Sequence, residues 1–288
     1  LRFKERLNLI PNKKLPPNTK EACVLVPRDD GGIALDTLRA SYMLAKQANF
    51  DIKFGYVNDK IPDSQLYIFP SISSNKPITF AALKCVLGKV RSGATLFISA
   101  DTGLIRDIPE ITGVDIAYRE AVNQEITVIF KDKQLPVKTE FLYKIENSRA
   151  EVLATDENGE GVFFKNKLGS GTVYFLTLPL EKYLGEKQGA FFKDNLPDYS
   201  VIYRELANNA KIERMADCDN RFIRFTEHII DENSRYVLAV NYNNKPESAA
   251  LKLKCGYDAE AVFGTSFSGN IMNIEQNDGI LSKITKNK

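Results

Sequence analysis

The sequence ACVLVP (Ala22–Pro27), followed by RDDGG (Arg28–Gly32), decides the fold of this chain. The first part is a short apolar run rich in β-branched residues, which is typical of a buried parallel strand. The second part is a turn, and Ile33–Asn49 then repeats apolar residues at three- and four-residue steps, which predicts a helix. Two glycines before a helix leave N–H groups that can hold an anion. However, Asp29 and Asp30 stand where a phosphate would bind, and the segment fits neither the dinucleotide nor the P-loop pattern.

The alternation of strand and helix continues beyond this first unit. Asp51–Tyr56, Leu66–Pro70 and Thr95–Ser99 are predicted strands. One helix is predicted to begin at Thr79 and to end at Gly93, and a short one covers Leu104–Thr112. Strands separated by helices of this length indicate βαβ units. We therefore predict an α/β fold, a doubly wound and flavodoxin-like sheet with helices on both faces.

From about Asp115 the pattern changes to short strands without intervening helices. We expect a β insertion near residues 118–147, followed by strands Glu151–Thr155, Gly161–Asn166 and Thr172–Leu178. Asn158-Gly159 and Gly169-Ser170-Gly171 are strong hairpin signals between these strands. The last strand is apolar throughout, so it could return as a central strand of the first sheet. Residues 185–197 are predicted as loop, and Tyr199–Ala210 as a helix.

The final part of the chain is predicted to be a separate all-β domain. Six short strands at a spacing of about ten residues indicate a small antiparallel β-sandwich over residues 213–288. The sequence begins at Leu1 without an initiator Met, and residues 1–20 are polar and proline-rich, which is typical of a connector. The predicted division is therefore a linker (1–20), an α/β domain (21–212) and the sandwich (213–288).

Composition excludes several classes of protein. The 288 residues contain 39 Lys plus Arg against 37 Asp plus Glu, a formal charge of +2. This balance does not fit a nucleic-acid-binding protein, and the lack of an apolar run of about 18 residues does not fit a membrane-spanning one. The sequence has one histidine, His228, which argues against a multi-histidine metal centre. It also has no Trp. The four cysteines are far apart and form no zinc or redox pair; Cys23 and Cys85 are expected to be buried.

Candidate chemistry is confined to the carboxyl ends of the predicted parallel strands, where α/β sheets place ligands. Ser71 and Ser73 follow one strand, and Ser99 and Asp101 stand at the next strand-to-helix turn. A serine without a general base is a poor nucleophile, so we expect this turn to be chemically silent, with no histidine within hydrogen-bonding distance. Glu140 and Glu181 are interpreted as ordinary surface acids, and His228 as a structural residue at the edge of a strand.

Several stretches resemble one family. Leu38–Ile72, Lys89–Ile105 and Ala150–Tyr183 resemble the class I glutamine amidotransferase-like domain, often called the trimerisation domain, that follows the catalytic barrel in glycoside hydrolases similar to the family 42 β-galactosidases. Phe222–Ile284 is similar to the small β-sandwich that ends these enzymes. A class I glutamine amidotransferase-like fold carries its cysteine nucleophile on a sharp strand-to-helix turn. Here the resemblance places Ser99-Ala100-Asp101 at that turn, as a degenerate elbow without a cysteine.

The resemblance implies a non-catalytic C-terminal region of a cytoplasmic glycoside hydrolase, which supports the barrel and assembles subunits. Residues 1–20 would then be the linker from an upstream catalytic barrel. Because the family's two catalytic glutamates lie in that barrel, no catalytic residue, metal or cofactor is transferred to this chain. The implied partners are the barrel, other copies of the protein and the carbohydrate substrate of the parent enzyme.

Two surfaces are candidates for the subunit interface, the helix beginning at Ile33 and an aromatic loop, and the loop is preferred. The aromatic loop Gly189–Tyr199 contains Phe191, Phe192 and Tyr199, which no local strand or helix pattern explains; packing of Phe191 and Phe192 onto the chain itself is the alternative. Two other functions stay open. One is a stand-alone amidotransferase-like hydrolase that uses Ser99 or Asp101. The other is a carbohydrate-binding accessory module, with Tyr236, Tyr242 and Tyr257 as contacts, which the lack of Trp weakens.

Overall fold

The computed structural model describes residues 6, 8–10, 14–27, 35–73, 78–103, 105–264 and 270–287. The predicted turn with Asp29 and Asp30 lies outside these residues. The chain divides into two compact units. The α/β unit consists of Glu21–Met43 and Ile52–Lys211; the β unit contains the residues up to Lys20, Leu44–Asp51 and the residues from Ile212 onward. Among the described helices, none has the length and apolar character needed to cross a membrane.

The α/β unit is built on one mixed sheet of nine strands. In chain order the elements are β1 (Ala22–Val26), α1 (Leu35–Gln47, which continues into the β unit), β2 (Ile52–Tyr56), β3 (Leu66–Ile72), α2 (Phe80–Arg91), β4 (Thr95–Ala100), α3 (Ile108–Thr112), β5 (Val114–Phe130), β6 (Lys133–Ser148), β7 (Glu151–Thr155), β8 (Gly161–Leu168), β9 (Gly171–Leu176), α4 (Leu180–Glu186) and α5 (Ser200–Asn209). The strand order is β2-β1-β3-β4-β9-β8-β7-β5-β6. The pairings from β2 to β9 are parallel and the others are antiparallel. The predicted α/β class is confirmed, and so is the return of β9 beside β4.

Three of the parallel strands in the sheet, β1, β4 and β9, are formed by apolar runs of the sequence. Every residue of β1, β4 and β9 is buried, as expected for parallel strands covered on both faces. Helix α2 begins where the sequence predicts, because the side chain of Thr79 accepts a hydrogen bond of 3.2 Å from the N–H of Ala82. The expectation that Cys85 is buried is wrong: it lies on the exposed side of α2, whereas Cys23 in β1 is buried.

The buried face of the first helix agrees with the sequence pattern only in part. That pattern places Leu35, Leu38, Tyr42, Ala45 and Ala48 on one inner face; Ala45 and Ala48 are buried, but Leu35 and Tyr42 are 69 % and 40 % exposed. Ala40, Ser41 and Leu44 are buried as well. Ser41 is tolerated there because its hydroxyl donates to the carbonyl oxygen of Thr37 at 2.9 Å, which satisfies the polar group locally.

The β insertion is a hairpin of two long strands rather than several short ones. β5 and β6 pair along almost their whole length, with register shifts between Ile116 and Tyr118 and between Ala121 and Gln124. These shifts disrupt the alternation of apolar and polar residues on which a strand prediction depends. Exposed residues then dominate the first half of β5, so its sequence has little strand signal. A second difference is α4, which occupies part of the region predicted as loop.

The described part of the β unit has eight short strands where the sequence predicts six. These are β10 (Ala216–Asp217), β11 (Ile223–Ile229), β12 (Ser234–Asn241), β13 (Glu247–Ala250), β14 (Lys252–Leu253), β15 (Tyr257–Phe263), β16 (Ile271–Ile274) and β17 (Gly279–Lys286). The numbers differ because β10 was not predicted and the predicted strand at 249–254 is divided between β13 and β14. A four-stranded sheet, β11-β12-β17-β15, is accompanied by the two-stranded sheets β10-β14 and β13-β16. Part of the predicted linker runs beside β11, since the N–H of Thr19 donates to the carbonyl oxygen of Glu227 at 3.0 Å.

Candidate functional site

A cage of hydroxyl groups surrounds the carboxyl group of Glu181 in the α/β unit. Ser71 in β3 donates to its Oε2 over 3.0 Å, and Ser99 in β4 donates to the same oxygen. Tyr203 in α5 donates to Oε1 over 3.0 Å. Since Glu181 belongs to α4, this hydroxyl cage (Ser71, Ser99 and Tyr203 around Glu181) ties two strands and two helices together through one side chain.

The hydrogen bonds of the hydroxyl cage all run from backbone N–H groups through the serine hydroxyls to Glu181, apart from the direct bond from Tyr203. The N–H of Lys182 donates to Ser71 Oγ at 3.0 Å, and the N–H of Ser71 donates to Ser99 Oγ at 2.6 Å. Each serine oxygen thus accepts a backbone proton and directs its own proton to the carboxyl group. Burial raises the pKa of Glu181, and the hydroxyl donors oppose this rise because they stabilise the charged form. The interpretation of Glu181 as a surface acid is wrong, because it is fully buried.

Ser99 has no exposed surface. It lies inside β4, and Asp101 follows directly after that strand. His228, the one histidine of the sequence, places its Nδ1 2.7 Å from the carbonyl oxygen of Pro16 within the β unit. The contacts of Ser99 therefore hold the end of the sheet together, and its neighbours do not form the serine–histidine pair that nucleophilic catalysis uses.

A cavity of about 550 Å³ opens at the carboxyl ends of β1 and β3. Asp101 lies in its wall with 5 % of its surface exposed, and Lys182 Nζ is 3.3 Å from both of its carboxylate oxygens. The same ammonium group is 3.8 Å from Oε2 of Glu140, which is mostly exposed. Burial raises the pKa of Asp101, while the attraction of Lys182 lowers it by a smaller amount. The other polar residues of the wall are Asp36, Thr37, Ser71, Ser73, Thr102 and Glu186.

Two further cavities adjoin the first and share lining residues with it. One, of about 530 Å³, shares Ser73 and Thr102 and is also lined by Phe80, Arg106 and Arg119. The other, of about 350 Å³, shares Lys182 and Glu140 and is also lined by Glu125, Lys138, Tyr183 and Lys187. We name the surface that lines these three cavities the carboxyl-edge groove.

One residue in the wall of the groove, Ser71, has an unusual backbone conformation. Ser71 has a φ of +44° within β3, at the point where the pairing of β3 with β4 shifts register between Phe69 and Ile72. Non-glycine residues with positive φ are uncommon and are maintained by their surroundings. Here the surroundings are the hydrogen bonds of the hydroxyl cage, which hold Ser71 between the groove and Glu181.

The three aromatic residues of the predicted interface differ in exposure. Phe191 and Tyr199 are 7 % and 3 % exposed and pack within the chain, and the hydroxyl of Tyr199 donates to the carbonyl oxygen of Pro136 at 2.6 Å. Phe192 is 50 % exposed. Only Phe192 of the three thus has a large surface to offer a partner, because the packing of Gly189–Tyr199 uses the other two rings.

Two of the three tyrosines considered as sugar contacts in the β unit have ordinary structural partners. Tyr257 packs against the apolar core of that unit. The guanidinium group of Arg224 lies 4.4 Å from the ring centre of Tyr242. Within the described residues, no group of three His, Cys, Asp or Glu side chains is arranged to hold a metal ion.

Sequence reasoning missed α4, and with it the role of Glu181, Lys182 and Glu186. A signal was present, since Pro179 precedes Leu180 and Leu184, which have the spacing of one helical turn. The helix is short, however, so its apolar pattern covers only two positions. Nothing in the sequence indicated that Glu181 would meet hydroxyl groups from β3, β4 and α5.

Solved structures show where this fold occurs. The chain is similar to a β-galactosidase from Bacillus circulans sp. alkalophilus, with a TM-score of 0.66 and 12 % identity over 98 % of this chain and 44 % of that one. It is also similar to a catalytic mutant of Gan42B, a GH42 β-galactosidase from G. stearothermophilus (TM-score 0.63, 13 % identity, 93 % and 40 %). A third match is α-L-fucosidase isoenzyme 2 from Paenibacillus thiaminolyticus (TM-score 0.66, 8 % identity, 94 % and 49 %).

These matches establish the fold and its extent. No protein-family model and no curated protein matches the sequence. The chain spans less than half of the length of each of these three proteins, while nearly all of it is covered. The resemblance inferred from the sequence is therefore supported at the level of a shared fold with one region of GH42 β-galactosidases.

Proposed function

We propose that this chain is the non-catalytic C-terminal region of a glycoside hydrolase and serves to support a catalytic barrel and to assemble subunits. The proposal is supported by matches in which about 40 % of a β-galactosidase covers more than nine-tenths of this chain. The remainder of such an enzyme would supply the barrel and its two catalytic glutamates. The activity, the sugar specificity and the partners of the parent belong to this proposal.

The α/β unit is proposed to be of the flavodoxin-like, amidotransferase-like type. Its parallel strands have the order β2-β1-β3-β4-β9, which corresponds to the doubly wound order in which the chain reverses direction beside the first strand. Ligands of such sheets bind at the carboxyl ends of the strands. Ser99 and Asp101 occupy that edge here.

The hydroxyl cage is the observation that carries the non-catalytic assignment. Ser99 at the elbow position is buried and donates its proton to Glu181, so the hydroxyl is a fixed structural donor. Catalysis by this serine would require a substrate to reach an atom without exposed surface. Asp101, the other candidate, is bound by Lys182 and belongs to the wall of the groove.

Assembly is proposed to use exposed surface of the α/β unit. Phe192 supplies an apolar side chain with half of its surface exposed. Stable interfaces concentrate apolar and aromatic residues at their centre and bury at least about 1,000 Å² in total. A single exposed ring is less than such a centre needs, so we expect weak self-association of this chain, with the barrel contributing the remaining surface in a full enzyme.

The test is an assay of the purified chain against aryl glycosides of β-galactose, β-glucose, β-mannose, β-xylose and α-L-fucose. We expect no hydrolysis above the background of the buffer. The matched control is Asp101→Asn, which retains the shape of the side chain and removes its acid. Turnover that stays with the chain through a second purification step would refute the non-catalytic assignment, and its loss in Asp101→Asn would assign it to Asp101. Turnover that separates from the chain would identify a contaminating enzyme and leave the assignment standing.

A further inference from the structure

We propose that the carboxyl-edge groove of the α/β unit binds a neutral, hydroxyl-rich oligosaccharide. This inference goes beyond the proposed function, since support of a barrel requires no sugar bound to this region. It rests on the size of the groove, the balance of its charges, the arrangement of its polar groups and the aromatic rings at its two ends.

The groove has the size and position of a ligand site. Its central cavity has a volume of about 550 Å³, within the range of roughly 300–1,000 Å³ that small-molecule sites occupy. The neighbouring cavities of about 530 and 350 Å³ each share lining residues with it. Three adjoining cavities offer room for a chain of several linked units.

The charges of the groove favour a neutral ligand. Among the described lining residues, five are acidic and five are basic. A site for a polyanion or a polycation shows an excess of one sign, because it must attract the opposite charge. Mixed charges present hydrogen-bond donors and acceptors side by side. Sugar hydroxyl groups can both donate and accept, so they can bind to such a surface without adding charge.

The polar groups at the centre are fixed before any ligand arrives. Lys182 holds the nearly buried Asp101 at 3.3 Å and lies 3.8 Å from Glu140. The N–H of Lys182 also binds Ser71, which the hydroxyl cage holds in place. Groups that are already ordered cost less conformational entropy when a ligand binds, and a charged partner gives stronger hydrogen bonds than a neutral one.

Aromatic rings lie at both ends of the groove. Phe80 is 58 % exposed at one end, with the guanidinium group of Arg106 5.6 Å from its ring centre. Tyr183 lines the other end, with Lys187 Nζ 4.7 Å from its ring centre. Phe80 offers an exposed apolar ring to the C–H groups of a sugar, and Tyr183 offers a half-buried one. The cation beside each ring can donate to the hydroxyl groups of the sugar. Apolar and aromatic walls with a few polar groups are the usual composition of ligand sites.

The experiment is calorimetric titration of the full chain with β-1,4-linked tetraoses of galactose, mannose, xylose and glucose. Spermine and hexametaphosphate are titrated as a polycation and a polyanion. We expect at least one tetraose to bind with a Kd below about 1 mM. Phe80→Ala and Lys182→Met should weaken that binding by about tenfold or more. The control Tyr56→Ala removes a ring that is 51 % exposed outside the groove, and binding should stay within about twofold.

Each outcome decides the proposal. Binding of no tetraose at 10 mM, on the order of ten times the expected Kd, would overturn it. Equal effects of Phe80→Ala and Tyr56→Ala would overturn the location, and tighter binding of either charged probe than of every tetraose would overturn the ligand class. Because Phe80 is exposed, its variant tests the groove even if Lys182→Met does not fold. Failure here would leave the glycosidase and assembly tests of the proposed function unaffected.

Discussion

Ser71 Oγ donates to Glu181 Oε2 over 3.0 Å, so a hydroxyl group in the wall of the groove is bound to a carboxyl group without exposed surface. This contact joins the carboxyl end of β3 to a carboxyl group in the interior. Any change at Glu181 should therefore affect the stability of the unit and the shape of the groove together.

Replacement of Glu181 should destabilise the α/β unit. Glu181→Ala leaves Ser71, Ser99 and Tyr203 without their acceptor, which should lower the free energy of unfolding by about 3–5 kcal/mol. Glu181→Gln keeps the shape and one oxygen, so the loss should be about 1–3 kcal/mol. Urea unfolding followed by circular dichroism measures both values. The control is Glu186→Gln, on the exposed side of the same helix, which should stay within about 0.5 kcal/mol; equal losses in the two Gln variants would contradict the cage.

The stability of the α/β unit should depend on pH through Asp101. Burial raises the pKa of this carboxyl group above its ordinary value despite the attraction of Lys182. The folded state then binds the proton at a higher pH than the unfolded chain does. The stabilisation from Asp101 is therefore complete below the ordinary carboxyl range and is lost as the pH rises through the raised pKa.

Asp101→Asn should remove this part of the pH dependence. The measurement is the free energy of unfolding of the wild type and the variant between about pH 4 and pH 7. We expect the wild type to lose stability relative to Asp101→Asn as the pH rises. Asp59→Asn, an exposed aspartate, serves as the control with a wild-type profile. Identical profiles for the wild type and Asp101→Asn would show that Asp101 titrates alike in both states.

The four cysteines should react with a thiol reagent in two classes. Cys85 and Cys255 are exposed, while Cys23 and Cys218 are buried. Burial also raises the pKa of Cys23 to about 11, which suppresses the reactive thiolate. We expect two fast thiols per native chain with Ellman's reagent and four after unfolding in urea. The double variant Cys85→Ser, Cys255→Ser should lose the fast class, and a remaining fast thiol would contradict the assigned burial.

Removal of the Phe191 ring should lower the stability of the chain, whereas removal of the Phe192 ring should weaken its self-association. Phe191→Ala removes a ring that is 7 % exposed, so it should reduce the free energy of unfolding by about 3–5 kcal/mol. Phe192→Ala should change stability by less than about 1 kcal/mol but should weaken self-association. Light scattering over a hundredfold dilution measures the association. A wild-type chain that stays monomeric throughout would remove Phe192 from the proposed interface.

Much of the architecture could be predicted from local patterns. The runs that form β1, β4 and β9 are apolar because both of their faces are covered, and Thr79 marks the start of α2 by its chemistry. The long hairpin of β5 and β6 could not be predicted in the same way. Its register shifts and exposed residues remove the period of two that identifies a strand. Its pairing also joins residues as far apart in sequence as Val114 and Ser148, which local strand signals do not detect.

The candidate site could be predicted only in part. Ser71, Ser73 and Asp101 follow from the rule that side chains at strand ends meet at one edge. Glu181 and Lys182 could not be placed there, since the seven residues of α4 carry little periodic signal. The buried face of α1 was predicted only in part: Ala45 is buried as the apolar pattern predicts, whereas Ser41 is buried by virtue of its bond to Thr37, which an apolar pattern does not register.

The position of β9 has a consequence for the order in which this protein folds. Thr172 in β9 pairs with Thr95 in β4, and the whole β insertion separates the two strands in sequence. During synthesis, β4 emerges from the ribosome long before its partner and presents an open strand edge until β9 arrives. The hairpins β5-β6 and β7-β8 are local and can close first, whereas the parallel pairing closes a long loop and is intrinsically slow. Conditions that slow translation between these two strands should therefore prolong the interval in which the nascent chain is most prone to aggregate.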